Sequence, residues 1–299
     1  MIKIRDLEYL AAIAQYKHFG HAADACFVSQ PTLSGQIQKL EQRLKLTLIE
    51  RQPRNVMLTP AGEKLVQQAQ QVLNAANNFE EAAKALLDPL SGDLHIGLIP
   101  TLAPYILPHI MPELNNNLTK ISFYLHENRT QDLLQELETG KLDVLILPWL
   151  PEMARFERYD LFNEPLVMAT SASHAMAERS FVTFDDLHNQ KILTLEDGHC
   201  LRDQAMGYCF SAGAEEDHSF RATSLETLRY MVASNMGITL LPQLATMNYA
   251  PQKHIHYIPF QEPQPIREIV LLCRSGYARM ESVRAIVTHI RQAVTGLFD

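Results

Sequence analysis

From Pro60 to Leu87 the chain carries one long stretch rich in Ala, Gln, Glu and Lys, with apolar residues at Leu65, Val72, Ala76, Phe79, Ala83 and Leu86. That spacing falls between three and four residues, which predicts a long helix able to pack against a partner helix. Asp88-Pro89-Leu90-Ser91-Gly92-Asp93 ends it with turn formers and marks a domain boundary. The pattern on either side of this helix is different, so the chain must fold as at least two parts.

On the N-terminal side, Ile4, Leu7, Leu10, Ala11, Ile13 and Ala14 recur with a helical period, predicting a helix over 4–18. A second short helix is expected over 21–27, kept slim by Ala22, Ala23, Ala25 and Cys26. Ser29 can cap a third, Pro31 is tolerated in its first turn, and Leu33, Ile37, Leu40 and Leu44 line one face. Residues 48–51, 52–55 and 56–59 read as strand, turn and strand, after which Thr59-Pro60 caps the long helix. Two helices about a tight turn followed by a hairpin make an all-α winged helix-turn-helix domain with its wing. Its third helix would enter a major groove of double-stranded DNA. Gln30, Pro31, Thr32, Ser34 and Gln38 would stand at base edges, Lys39 and Arg43 at phosphates, and Arg51 and Arg54 at backbone or minor groove.

On the C-terminal side strands and helices alternate. Strands are expected at 94–99, 120–126, 143–147, 166–170, 238–241 and 268–274, with helices at 104–114, 130–138 and 279–296. Thr223-Ser224-Leu225-Glu226 reads as a capping box opening a helix to Ala233. Such alternation predicts a parallel sheet covered by helices, arranged in two lobes, with the last strand and helix returning to the first.

Charge supports the division. Residues 1–59 hold eight Lys/Arg against five Asp/Glu, so a chain of net −8 has a +3 head on a −11 body. With 46% hydrophobic and 20% charged residues, disorder is excluded. No apolar run approaches the roughly 20 residues of a membrane span and the start has no signal-peptide pattern, so a cytoplasmic protein without membrane contact is expected. Four cysteines in 299 residues do not make a disulfide scaffold, and in a reducing compartment a pair points to redox or metal chemistry.

The phrases Phe19-Gly20-His21-Ala22-Ala23, Ser29-Gln30-Pro31-Thr32-Leu33-Ser34, Gln36-Ile37, Leu40-Glu41 and Leu58-Thr59-Pro60-Ala61-Gly62 resemble the LysR-type regulators in order and spacing across residues 1–90. The resemblance implies a DNA-binding domain over 1–59, a linker and dimerisation helix over 60–90, and a two-lobed α/β regulatory domain like the periplasmic binding proteins over 91–299. Lobe I would take about 91–160 and 268–299, lobe II about 161–267. It further implies a transcription activator, not an enzyme, working as a homodimer or homotetramer with promoter DNA and RNA polymerase.

Cys200 and Cys209 lack zinc-ligand spacing, and no metal or cofactor is expected. On one helix nine steps would set them on opposite faces, about 13 Å apart along the axis, whereas a disulfide needs Cα atoms within about 7 Å. Oxidation would then have to remodel the helix. Cys200 beside His199 suits the attacking thiol and Cys209 a resolving one. Cys26, in a helix, and Cys273, in a strand, read as small buried hydrophobes. Leu195–Phe210, with Ile99-Pro100-Thr101 and Pro104-Tyr105, resembles the redox segment of the peroxide-sensing LysR-type regulators. That resemblance implies that Cys200 is peroxidatic, that Cys209 resolves, and that Thr101, Thr130, His199, Asp203 and Arg267 line a hydrogen peroxide pocket. It also implies control of oxidative-stress genes and a glutaredoxin- or thioredoxin-type reductant. Thr130 as a plain helix cap and Arg267 as a surface charge stay open. So do a regulator with an organic effector between the lobes and a thiol-dependent peroxidase.

Overall fold

The computed structural model describes residues 2–52, 55–247 and 254–298. The chain gathers into two compact units, Met1–Leu87 and Asp88–Asp299.

In the first unit α1 (Ile4–Tyr16), α2 (Phe19–Ala25) and α3 (Gln30–Leu44) close over Leu10, Ile13, Ala22, Ala23, Leu33, Ile37 and Leu40. α2 starts two residues before the expected helix because His18 caps it, its Nδ1 accepting from the N–H groups of Gly20 (3.1 Å) and His21 (3.2 Å). It also stops two residues early, and Phe27 turns left-handed at φ 55°. Cys26 therefore sits at the helix end, half-buried, rather than inside a helix core. α3 begins as expected, with the Thr32 N–H donating to Ser29 Oγ at 3.4 Å.

The wing is an antiparallel pair, β1 (Ile49–Gln52) and β2 (Asn55–Leu58). The Glu41 carboxylate ties it to α3 by accepting from the N–H groups of Leu48 (2.8 Å) and Ile49 (3.2 Å). α4 (Pro60–Leu87) follows and belongs to the same unit. Thr59 joins wing to helix, its hydroxyl donating to Thr47 O (2.7 Å) and accepting from the Gly62 N–H (3.0 Å). Gly62 lets α4 approach so closely that a Cβ there would lie 2.1 Å from the Leu48 carbonyl oxygen.

In the second unit β3 (Gly92–Leu98), α5 (Ala103–Asn117), β4 (Ile121–Glu127), α6 (Thr130–Glu138) and β5 (Val144–Pro148) form a parallel β/α arrangement with β3 between the other two strands. The sheet is not parallel throughout. β6 (Glu157–Ser171) and a strand that returns late in the chain add to it antiparallel. β7 (Lys191–Leu195), α7 (Cys200–Ser211), β8 (Glu215–Ala222), α8 (Leu225–Ala233), β9 (Thr239–Pro242), α9 (Leu244–Met247) and β10 (Ile255–Ile258) build the second lobe. β11 (Ile266–Cys273) returns to the first sheet, and α10 (Met280–Val294) closes it.

β6 is three times the length of the strand expected at 166–170, because it serves both lobes. Glu157–Pro165 pairs with β11, and Leu166–Ser171 pairs with β9 and β10. Leu161 lies in the first hydrophobic core and Leu166 in the second, so the crossing falls between them. The cap of α8 is one residue later than expected. Ser224 Oγ accepts from the Thr227 N–H (3.2 Å), which frees the Glu226 carboxylate to accept from the Tyr105 hydroxyl at 3.2 Å.

Candidate functional site

Ile99, Pro100 and Thr101 follow β3, Arg129 and Thr130 open α6, and Gly198, His199 and Cys200 lead into α7. Together they line a cleft of about 150 Å³, open solvent included. Gly198, at φ +94°, sets the entry to α7; a Cβ there would meet the Arg129 side chain at 3.4 Å. His199 is the residue preceding α7 and Cys200 is its first residue, 5% exposed.

Burial pushes the Cys200 thiol up, and the neighbouring Thr130 hydroxyl, the Arg267 charge and the Leu201 N–H pull against it. Its net position is above the ordinary thiol value. The His199 imidazole is held below its ordinary value, first by burial and then by the Arg129 charge, so it is neutral at pH 7. Arg129 in turn pairs with Glu196.

Arg267 is not a surface charge: it is 1% exposed and lies behind the cleft wall. Its Nη2 donates to Thr101 O (3.0 Å), its Nη1 to Thr101 Oγ1 (3.4 Å) and its Nε to Glu164 Oε2 (2.6 Å). Glu164, which the sequence reading missed, stands directly opposite Arg267 in the β6–β11 register and is fully buried. Burial pushes its carboxyl up, opposed by Arg267 and by the Leu244 N–H, which donates to Oε1 at 3.1 Å. Glu164 stands directly before the apolar run Pro165-Leu166-Val167-Met168, and a carboxylate that enters such a run buried needs a partner.

Thr130 is not the cap of α6, a position held by Arg129. It is the first helical residue, 4% exposed, and its buried hydroxyl has no hydrogen-bond partner besides the neighbouring Cys200 sulfur. A buried hydroxyl of this kind beside a sulfur is ready to bond an incoming polar molecule. Asp203 is not brought to the cleft. Its carboxylate is 73% exposed and pairs with Arg202 on the outer face of α7.

Cys209 lies on the same helix as Cys200, and both thiols are free. The two belong to different cores: Cys200 packs with the first lobe, Cys209 with Leu201, Ala205 and Met206 in the second. Cys209 is fully buried, and burial pushes its thiol up to about 12. Cys273 is likewise buried.

In the N-terminal unit Gln30, Pro31, Thr32, Gln38 and Lys39 are exposed along α3, and Ser34 is half-buried. The Thr32 hydroxyl shares a 2.8 Å hydrogen bond with Ser29. Arg43, expected at phosphates, is drawn to Asp6 at 3.3 Å. Arg54 lies outside the described residues, and Arg51 is described by its backbone alone, in β1.

The fold and the exposed third helix are those of a DNA-binding regulator with an α/β sensory domain. The model of the lysR family of bacterial regulatory helix-turn-helix proteins matches residues 4–63, and that of the LysR substrate binding domain matches 88–295. The chain belongs to the LysR family of transcription regulators. It is 50% identical over 298 residues to the DNA-binding transcriptional dual regulator OxyR of Escherichia coli K12, covering 100% of this chain and 98% of that protein. A full-length OxyR variant from Pseudomonas aeruginosa superposes with a TM-score of 0.79 at 35% identity, covering 97% of this chain and 95% of that one. Oxidised and reduced forms of OxyR, 48% and 46% identical, each superpose with a TM-score of 0.66 over 71% of this chain and 100% of theirs.

Proposed function

We propose that this protein is an OxyR-type transcription regulator that senses hydrogen peroxide through Cys200 and Cys209 and passes the change to promoter DNA. The observation that carries the reading is the position of Cys200. It heads a helix in a cleft of hydroxyl, imidazole and guanidinium groups, while a second thiol on that helix is held in another core.

Cys200 sulfur attacks one oxygen of peroxide, the O–O bond breaks, and the thiol proton leaves with the departing oxygen as water. Sulfur is oxidised by two electrons and becomes a sulfenic acid. Thr130 and His199 can hydrogen-bond the peroxide, and the Arg267 charge favours negative charge at sulfur and on the leaving oxygen. Thr101 positions Arg267 by accepting two of its bonds. Cys209 then displaces the sulfenic hydroxyl, giving a disulfide and a second water. The helix that holds both residues must unwind for this, because their Cα atoms lie about 13 Å apart along its axis against a limit of about 7 Å.

The α3 residues Gln30, Pro31, Thr32, Ser34 and Gln38 read bases, and Arg51 and Arg54 contact the DNA backbone or the flanking minor groove. The protein acts in the cytoplasm as a homodimer or homotetramer on promoter DNA, with RNA polymerase as partner and a glutaredoxin- or thioredoxin-type protein as reductant.

The test is thiol mapping by mass spectrometry before and after mild peroxide, with DNA footprinting of both samples. The expected result is a Cys200–Cys209 disulfide and an altered footprint, both lost in Cys200→Ser. A footprint that responds to peroxide equally in Cys200→Ser would refute the assignment.

A further inference from the structure

Pro265 O accepts from the Leu166 N–H at 2.8 Å, so it faces β6. Backbone alternation then turns the N–H and C=O of the next residue, Ile266, away from β6. On that other side β5 covers β11 from Ile269 onward, and Trp149 extends the cover only to Glu268. Ile266 therefore carries its polar groups past the last strand partner, where a half-buried backbone needs something to bond. The Tyr208 hydroxyl meets both: it donates to Ile266 O (2.9 Å) and accepts from the Ile266 N–H (3.3 Å). The phenol ring is stacked on Phe184, centroids 5.9 Å apart.

Tyr208 adjoins Cys209 and Ile266 adjoins Arg267, so one hydroxyl joins the neighbours of the second thiol and of the buried arginine. We propose that Tyr208 is a positioning residue of the thiol switch, its phenol clamping α7 to the uncovered end of β11 and restraining Cys209 from reaching Cys200. This rests on the disulfide reading above. In the step concerned, Cys209 sulfur attacks the sulfenic sulfur of Cys200, the S–O bond breaks as the S–S bond forms, and hydroxide leaves with the Cys209 proton as water. Moving Cys209 takes Tyr208 with it, so both clamp bonds belong to the reduced state alone.

Tyr208→Phe keeps the ring and removes both bonds. The rate of Cys200 sulfenic acid formation, followed by dimedone labelling, should stay within about twofold of wild type. The resolving step should be faster, and the equilibrium against dithiothreitol should move about tenfold toward the disulfide, the size of roughly one net hydrogen bond. For a two-electron couple that is a midpoint about 30 mV more negative. An unchanged midpoint and resolving rate, or an equal change in both chemical steps, overturns the clamp. If wild-type protein forms no Cys200–Cys209 disulfide, it is the disulfide reading that fails instead. Should Tyr208→Phe not fold, hydrogen exchange on the wild type decides: Ile266 amide protection must fall on oxidation, and undiminished protection overturns the clamp.

Discussion

Arg267 and Glu164 face one another across the β6–β11 ladder and meet as an ion pair, Nε to Oε2 at 2.6 Å, with neither side chain exposed. Arg267 also donates from Nη1 and Nη2 to Thr101, so one guanidinium fastens the cleft loop to the strand that crosses both lobes.

Removing one partner of such a pair leaves a charge stranded in the core. Arg267→Ala should destabilise the protein by about 3–5 kcal/mol, and adding Glu164→Gln should recover a large part of the loss. Urea unfolding of the four members of the cycle measures this. Additive losses would show that the pair is not coupled.

The buried thiols make stability fall at alkaline pH. Cys209 and Cys273 are both raised by burial, from 9.0 to about 12. Below pH 9 folded and unfolded chains hold the same thiol protons. Between about 9 and 12 the unfolded chain releases them and the folded one retains them, so stability drops with rising pH, by up to about 1.4 kcal/mol per unit for each thiol. Urea midpoints at pH 8 and pH 10 should differ accordingly, and Cys209→Ala should shrink the difference.

Base-reading and phosphate-contacting residues on α3 should separate by salt dependence. Gln38→Ala should weaken binding to a specific operator by about 1–3 kcal/mol and leave non-specific binding nearly unchanged. Lys39→Ala should weaken both and lower the slope of log K against log salt by about one. Fluorescence anisotropy titrations over a salt series distinguish the two.

Gly62→Ala should damage the N-terminal unit without touching any DNA-facing residue. Its Cβ would lie 2.1 Å from Leu48 O, which is backbone and cannot swing aside. A loss of about 1–3 kcal/mol is expected in thermal unfolding. A variant as stable as wild type would mean that wing and helix separate freely at this point.

Local signals carried the sequence reading far in the N-terminal unit. Ser29 before Pro31 and Thr59 before Pro60 are complete caps within a few residues, and both helices begin there. The bounds of α2 were not legible, because its cap is His18, an uncommon cap residue. In the sensory unit, period and turn residues revealed the strands but not their partners. The antiparallel return of β11 onto β5 and β6 depends on contacts more than a hundred residues apart, and no local pattern encodes them. The same gap hid Glu164, visible as an odd carboxylate but without its arginine until the register is known. Cys200, Thr101, Thr130 and His199 come together as the sequence resemblance implied. Asp203 does not line the cleft: although it lies one turn from Cys200, its carboxylate is exposed and pairs with Arg202.

β6 runs unbroken from one hydrophobic core into the other. No loop on that ribbon offers a place to divide the sensory unit, so an excised second lobe would keep a half-strand with its former neighbours gone. Such fragments would expose a sticky edge and self-associate. Chimeras that exchange sensing specificity between regulators of this kind should therefore be joined outside 88–299, at the foot of the long helix, and not between the lobes.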